Sequence, residues 1–464
     1  MPDLPTTRGV PSDRAITAGS LAVIGGLYAW FFVNAYRRIG TVKPGGLATG
    51  DFEHFYFGAR AMLDGQDVYT SGHNGYIYPP LLAFLYTPFA RLGLDAAALS
   101  LLVVNLVLGL LTAWIAGRTV VERVGANVGV PARFVCVVLV GTVATLLALD
   151  KLKGEYQMWQ TNVLVMLMFA VALWQLDKRP WLAGLALGLA FNIKYLPVAA
   201  LPYLLMRRRW KAAGWFAAGI AGFALLPAVL VGWATNLHYL KTAFAGFARL
   251  IGVDAGEGPK ANIDGITAPY SVSVTSALAR LFQGGDAGYG HGDSATVALA
   301  AAAGIGVAYA GALLWMYRRR GVPAILWPRE SGQGTAMFRA MVAVEWVGLM
   351  VAVLSFGPQT NMRHMSLLLV VFAPAAAILL FAARGVSRVP LMVGTAVLFL
   401  AITLPPGGDR FDDAVRFWRQ VGGPGVCMLV YFASLVWTGL AQARALGEET
   451  PGGQRAGAPG AAVR

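Results

Sequence analysis

Between Gly50 and Pro80 the chain reads GDFEHFYFGARAMLDGQDVYTSGHNGYIYPP. It gathers Asp51, Glu53, Asp64, two histidines and several tyrosines into one polar interval of a chain otherwise rich in Ala, Leu, Val, Gly and Phe. A carboxylate in such a place can take a proton from a hydroxyl, and an imidazole can donate or accept a hydrogen bond. Other polar groups stand out against apolar surroundings. Lys194 interrupts AGLALGLAFNIKYLPVAALPYLL, Arg363 and His364 follow GPQTNM, and Gln160 and Asn162 open WQTNVLVMLM. Cations so placed bind anions, and paired amides bond hydroxyls or cap helices.

The elements that position these groups are membrane helices. Of the 464 residues, 57% are hydrophobic and 13% charged, whereas a soluble domain is about a quarter charged. Apolar runs of helical length recur and alternating segments of barrel type are absent, so the fold class is all-α, a polytopic helical membrane protein. About ten full spans are expected, at 16–33, 96–116, 134–149, 162–176, 212–233, 296–317, 337–355, 364–382, 390–404 and 425–440, with re-entrant or broken helices besides. The net charge of +14 belongs to cytoplasmic loops facing anionic head groups, so no nucleic-acid partner is expected. Cys136 and Cys427 lie in apolar segments and read as small core residues. The first apolar run lacks a cleavage pattern and reads as a retained anchor.

Basic clusters at Arg118/Arg123/Arg133, Lys178/Arg179, Arg207/Arg208/Arg209/Lys211, Arg318/Arg319/Arg320/Arg329 and Arg384/Arg388 should be cytoplasmic. A single span over 181–206 would put two of them on opposite sides. Two half-helices hinged around Lys194 and Pro197 remove the conflict and place a charge at depth, which is tolerated where it lines a cavity. Both termini are then cytoplasmic, against the opposing pair Arg37/Arg38, and the polar island faces outward. So do 150–160, 357–363, 406–423 and the long stretch 234–295. The expected organisation is one transmembrane domain over 1–443, with extracytoplasmic loops at about 37–79 and 234–295, and a disordered cytoplasmic tail over 444–464.

Locally, Asp51 begins a segment in which Phe52, Phe55, Tyr56, Ala59 and Leu63 recur at helical spacing, the pattern of an amphipathic helix on the membrane surface. Its carboxylate could cap that helix or do chemistry. Lys194 in the bilayer interior costs roughly 2.5–3.5 kcal/mol even on lenient scales, which favours phosphate binding over snorkelling. Tyr69, Tyr76 and Tyr78 read as an interfacial aromatic belt or a sugar-stacking surface. The run after Pro79 and Pro80 is too short to span.

The ordered segments DFxxFYxxARAMLDGxxxY, YIYPPLLAFLYTPF, WQTNVLVMLM, AGLALGLAFNIKYLPVAALPYLLMRRRW, PYSVSVTSALARL and FGPQTNMRHMSLLL, within about 50–374, resemble glycosyltransferase family 87, polyprenol-dependent mannosyltransferases of the GT-C type. Two positions depart from it. Trp159-Gln160-Thr161-Asn162 stands where the family shows Gly-Gln-x-Asn, and Gly357-Pro358 where it shows Ser-Pro; KLKGEY before Trp159 is an unusual insertion. The resemblance implies a polyprenyl-phosphate sugar donor, mannose by default, and a glycolipid or glycan acceptor outside the cytoplasm, in the plasma membrane of a bacterium. Displacement at an anomeric carbon needs a base for the acceptor hydroxyl and cations for the departing phosphate. Asp51 is the expected base, with His364 bonding the donor phosphate or assisting Asp51. Lys194 and Arg363 are expected to bind that phosphate, and His54, Tyr56, Tyr69, Tyr78, Gln160 and Asn162 to contact substrate, while Glu53 and Asp64 read as solvated or structural. No cofactor is expected. No obligate metal is expected either, since Asp51 has only Glu53 nearby and Asp409, Asp412 and Asp413 read as a surface turn.

A transporter or lipid flippase, or a non-catalytic scaffold, is the alternative class. Transporters show internal repeats and ionisable residues in several spans. Here no repeat is clear and Glu345 is the main acid inside a span.

Overall fold

The computed structural model describes residues 13–39, 51–72, 75–125, 130–250, 253, 261, 263, 265–283, 293–323, 335–403 and 412–448. α1 (Asp13–Ile39) is followed by the short α2 (Phe52–Leu63) and α3 (Pro80–Ala90) and the long α4 (Leu94–Val124). α5 (Val130–Leu147) and α6 (Leu149–Gln157) meet at a 75° bend. Then come α7 (Asn162–Gln175), α8 (Pro180–Phe191), α9 (Ala200–Met206), α10 (Trp210–Leu225), α11 (Ala228–Val231), α12 (Trp233–Leu250) and α13 (Val274–Gln283). The remainder is α14 (Asp293–Arg319), α15 (Ala336–Phe356), α16 (Leu368–Phe381), α17 (Val389–Thr403), α18 (Asp412–Gln420) and α19 (Gly423–Glu448). Among the described residues the only extended pairing is an isolated bridge between Ser271 and Asn361.

Among the described residues, seven helical segments are long and apolar enough to cross a membrane: α1, α4, 210–231, α14, α15, 362–381 and α19. The protein is a multi-pass helical membrane protein. Helix occupies all ten intervals expected from hydropathy, but three are not simple crossings. The interval from Phe134 is α5, which turns sharply into α6. α7 and α17 have 14 and 15 residues, and at 1.5 Å per residue they fall short of a core of about 30 Å. Hydropathy reads through such breaks because the residues beside them are apolar too.

The break around Lys194 is present. α8 ends at Phe191, a 3-10 turn covers Leu196–Ala199 with Pro197 inside it, and α9 leads away. The arm enters and leaves at one end of the bundle. Asp177, just past α7, accepts hydrogen bonds from Arg123 of α4 at 2.7 Å and from Arg209 beyond α9 at 2.5 Å, and Lys178 pairs with Glu122 at 3.3 Å. At that end Arg207 forms a buried ion pair with Glu345 of α15, which also accepts from the hydroxyls of Tyr203 at 2.9 Å and Tyr317 at 2.7 Å. Glu345 is thus an anchor for α9.

Several expectations are corrected. The apolar face of α2 rests on protein and not on lipid: Phe52, Phe55 and Ala59 are fully buried, with Phe55 against Tyr78 and Tyr86. The stretches 37–79 and 234–295, expected as extracytoplasmic loops, are not plain loops, since α2, α12 and α13 lie within them. α19 runs on through Glu448, braced by Arg444–Glu448 at 3.0 Å, so the tail expected from 444 is helical at its start, and 449–464 lie outside the described residues. The expected turn around Asp412 and Asp413 is the start of α18; Asp409 lies outside the described residues. Cys136 and Cys427 are buried and not joined in a disulfide.

α8 and α10 pack through glycine. A Cβ on Gly184 would come within 2.5 Å of the Ala212 carbonyl oxygen, and one on Gly188 within 2.7 Å of the Gly219 backbone. Small residues at four-residue spacing let helices in lipid approach this closely. Gly188→Ala should therefore lower the thermal stability of the detergent-solubilised protein by about 1–3 kcal/mol. Gly214→Ala, where a Cβ meets nothing within 4 Å, should leave the melting temperature unchanged or raise it; equal melting of both variants would contradict the close packing.

Candidate active site

Four pieces of chain meet around a cavity of about 1390 Å³: the start of α2, the turn before α7, the apex between α8 and α9, and the 3-10 turn Met362–Leu367 that leads into α16. Asp51 immediately precedes α2, but its side chain makes no capping bond. Its carboxylate accepts from Gln160 Nε2 at 2.5 Å and from Arg363 Nη1 at 2.6 Å. The capping alternative left open by the sequence therefore fails. Two donors from distant segments fix the orientation of the carboxylate at the cavity wall.

Lys194 also lines the cavity, although only 7% exposed. Its Nζ donates to Asn162 Oδ1 at 2.6 Å, and Asn162 Nδ2 donates to Glu155 Oε2 at 2.8 Å. Glu155 accepts further bonds from the Val163 N–H at 3.1 Å and the Ser366 hydroxyl at 2.7 Å. The lysine thus reaches its counter-charge through one side-chain amide, with its ammonium also 5.6 Å from the Tyr78 ring centroid. A buried cation persists only with such compensation.

His364 has one ring nitrogen committed. Asn361 Oδ1 accepts from the backbone N–H groups of Arg363 at 2.9 Å and His364 at 3.3 Å, while the Asn361 N–H donates to His364 Nδ1 at 3.4 Å. With Nδ1 accepting, the neutral ring carries its proton on Nε2. The hydrogen bonds of Asp51 go to Gln160 and Arg363, not to His364. His54 lines the same cavity, its Nδ1 held by the Gly75 carbonyl at 3.0 Å. Gly75 has φ +72°, and a Cβ there would lie 2.4 Å from the Tyr69 carbonyl oxygen.

Of the expected site residues, Asp51, His54, Tyr78, Gln160, Lys194, Arg363 and His364 come together on the cavity wall. Three do not. Tyr56 turns its hydroxyl to the Leu92 carbonyl at 2.9 Å, Tyr69 lies behind the wall and bonds the Tyr78 carbonyl at 2.9 Å, and Asn162 is fully buried as the link to Glu155. Sequence reasoning missed Glu155 and Ser366, and also Arg416 and Arg419 of α18, which line the cavity. The signal for Glu155 was an acid seven residues before Asn162, beside Tyr156 and Trp159; burial would force it to find a cation. Trp159 itself has φ 50°, backbone that favours glycine. Its indole is buried and donates to the Ala98 carbonyl at 2.8 Å. Among the described residues, no three His, Cys, Asp or Glu side chains cluster as metal ligands.

Fold and site together define a polytopic membrane protein with a largely apolar cavity that carries several cationic side chains, at the apex of a broken helix. The family model for glycosyltransferase family 87 matches residues 76–342, more than half of the chain. The chain belongs to glycosyltransferase family 87 and is a membrane glycosyltransferase. The polyprenol-phosphate-mannose-dependent alpha-(1-2)-phosphatidylinositol mannoside mannosyltransferase of Mycolicibacterium smegmatis is 27% identical over 84% of this chain and 83% of its own length. That of Mycobacterium tuberculosis is 32% identical over 41% of this chain, the match spanning 47% of that relative's length. The crystal structure of ArnT from Cupriavidus metallidurans in the apo state superposes with a TM-score of 0.44 at 14% identity, covering 94% of this chain and 78% of that one.

The buried relay generates a test of its own. Glu155→Ala strands the Lys194 ammonium and should destabilise the protein by about 3 kcal/mol or more. Adding Lys194→Met should recover most of that loss, a coupling readable in a double-mutant cycle of thermal unfolding. Additive losses would show that the two charges do not compensate each other.

Proposed function

We propose that this protein transfers a sugar, mannose in the first instance, from a polyprenyl-phosphate donor to a hydroxyl of a glycolipid acceptor at the extracytoplasmic side of the membrane. The reading is carried by one observation: the Asp51 carboxylate stands on the cavity wall, bonded to Arg363, with Lys194 and His364 on the same wall. The donor and acceptor classes are those in the names of the two mannosyltransferase relatives. The orientation follows from the basic clusters at the Asp177 end, which belong in the cytoplasm, while Lys194 lies at the far end of the broken arm.

In this mechanism Asp51 takes the proton of the acceptor hydroxyl as its oxygen attacks the anomeric carbon. The carbon–oxygen bond to the donor phosphate breaks, and the phosphate leaves with the electron pair, so the anomeric configuration inverts. Lys194 and Arg363 stabilise the departing charge, and His364 Nε2–H can donate to a phosphate oxygen. Gln160, which bonds Asp51 at 2.5 Å, keeps the base aimed. Tyr78 and His54 supply wall for the sugar.

Purified protein incubated with polyprenyl-phosphate mannose and a membrane lipid extract should yield a lipid heavier by one hexose. Asp51→Asn should retain fold and donor binding while turnover falls roughly 10²- to 10⁴-fold, the range of a lost general base. Glu53→Gln should have a much smaller effect. Lys194→Met should weaken donor binding instead, read as loss of affinity in the folded fraction, since it also leaves the buried Glu155 without its cation and should lower thermal stability. Normal transfer by Asp51→Asn would sink the base assignment.

A further inference from the structure

Among the described residues, the cavity wall carries more cationic side chains than its reacting end uses. Asp51 is paired with Arg363, and Lys194 is compensated by Glu155 through Asn162. Arg416 and Arg419 remain. Among the described residues Arg416 pairs only with Asp413 of its own helix, at 3.7 Å, with 65% of its side chain exposed. Arg419 has no side-chain partner among the described residues.

α18 presents these groups deliberately in register. Val415, Arg416, Arg419 and Gln420 line the cavity, positions that share one helical face. Phe417 faces away and is 65% exposed. The far end of the helix is pinned. Arg280 of α13 donates to the Gln420 carbonyl, to the Ala268 carbonyl at 2.7 Å and to the Ser271 carbonyl at 3.0 Å. It thereby ties α18 to the loop whose Pro269 and Tyr270 form part of the same wall. Trp418 lies over the start of α19, where a Cβ on Gly423 would meet its ring.

We infer that Arg416 and Arg419 bind the phosphodiester of an anionic glycolipid acceptor, setting the acceptor's head group across the cavity from Asp51. This rests on the glycosyl-transfer reading of the cavity and adds to it the residues that hold the acceptor's head group. The donor phosphate must lie beside its anomeric carbon and so beside Asp51, where Lys194 and Arg363 already stand. A second phosphodiester, several bonds removed from the reacting hydroxyl, needs its own cations farther along the wall. Guanidinium groups suit that role, since each can grip two phosphate oxygens.

Initial rates are to be compared for the unaltered protein and Arg416→Gln/Arg419→Gln, with polyprenyl-phosphate mannose as donor and either a phosphatidylinositol mannoside or octyl mannoside as acceptor. The double variant should raise KM for the anionic acceptor at least about tenfold, or about 1.4 kcal/mol, and shift the donor and octyl mannoside KM values less than twofold. An equal rise for both acceptors, a rise in donor KM, or no change overturns the assignment. A second arm does not need turnover: binding of dioctanoyl phosphatidylinositol, glycerophosphoinositol and inorganic phosphate, read by tryptophan fluorescence. Selective binding of the lipid and its deacylated head group, lost in the double variant, supports the inference. Equal binding of inorganic phosphate, or no lipid binding, overturns it. Failure of the transfer reading would show separately, as no product from either acceptor with head-group binding intact.

Discussion

The fold depends on keeping one ammonium group charged inside a membrane protein. Lys194 is nearly buried, so the chain brings it an acceptor, Asn162 Oδ1 at 2.6 Å, and behind that a carboxylate, Glu155. The bend between α5 and α6 carries Glu155 inward, the turn at Trp159 starts α7 with Asn162 at its head, and the interrupted arm delivers the lysine. Ser366 closes the network from a fourth segment. None of these elements could straighten into a simple span without leaving a buried charge unpaired, at a penalty of several kcal/mol. The shortness of α7 and the break after α8 follow from that constraint.

The same network separates what is fixed from what must stay accessible. At the Asp177 end, ion pairs and the Arg207–Glu345 contact clamp α4, α7, α9 and α15 together. At the other end the side chains share a cavity, with Asp51, His54, Gln160, Arg363 and His364 all presented to it. Each is held from behind. Gly75 secures His54, Asn361 secures His364, and Arg363 is placed by a backbone N–H bonded to Asn361 Oδ1. The proposed transfer, which moves one proton and releases one phosphate, would benefit from groups that need no reorganisation.

Much of this was legible in the sequence because membrane helices write a strong hydropathy signal and charges in apolar runs are conspicuous. Lys194, Asp51 and the broken arm were visible for that reason. Glu155 was not, since its interval KLKGEY looks polar and solvated until the α5–α6 bend is known. Asn162 was read as a substrate contact because helix starts near an outer face are usually wet; only the fold shows its amide turned inward. The arginines of α18 were masked by neighbouring acids, and short amphipathic helices at membrane edges resemble turns in sequence. The glycine that the family resemblance implies at position 159 has a physical reading in φ 50°. Here tryptophan tolerates that backbone, whose strain is of order 1–3 kcal/mol, by burying its indole against Phe52 with ring centroids 6.0 Å apart.

The order of residues along the chain also bears on how the protein is made. Glu155 and Asn162 precede Lys194 in synthesis, and α6 and α7 leave the ribosome before the broken arm. The lysine's amide and carboxylate partners are therefore made ahead of it, with Ser366 added later. When the hairpin of α8 and α9 enters the bilayer, its charged apex can dock against a carboxylate already synthesised, which lowers the cost of burying a lone ammonium.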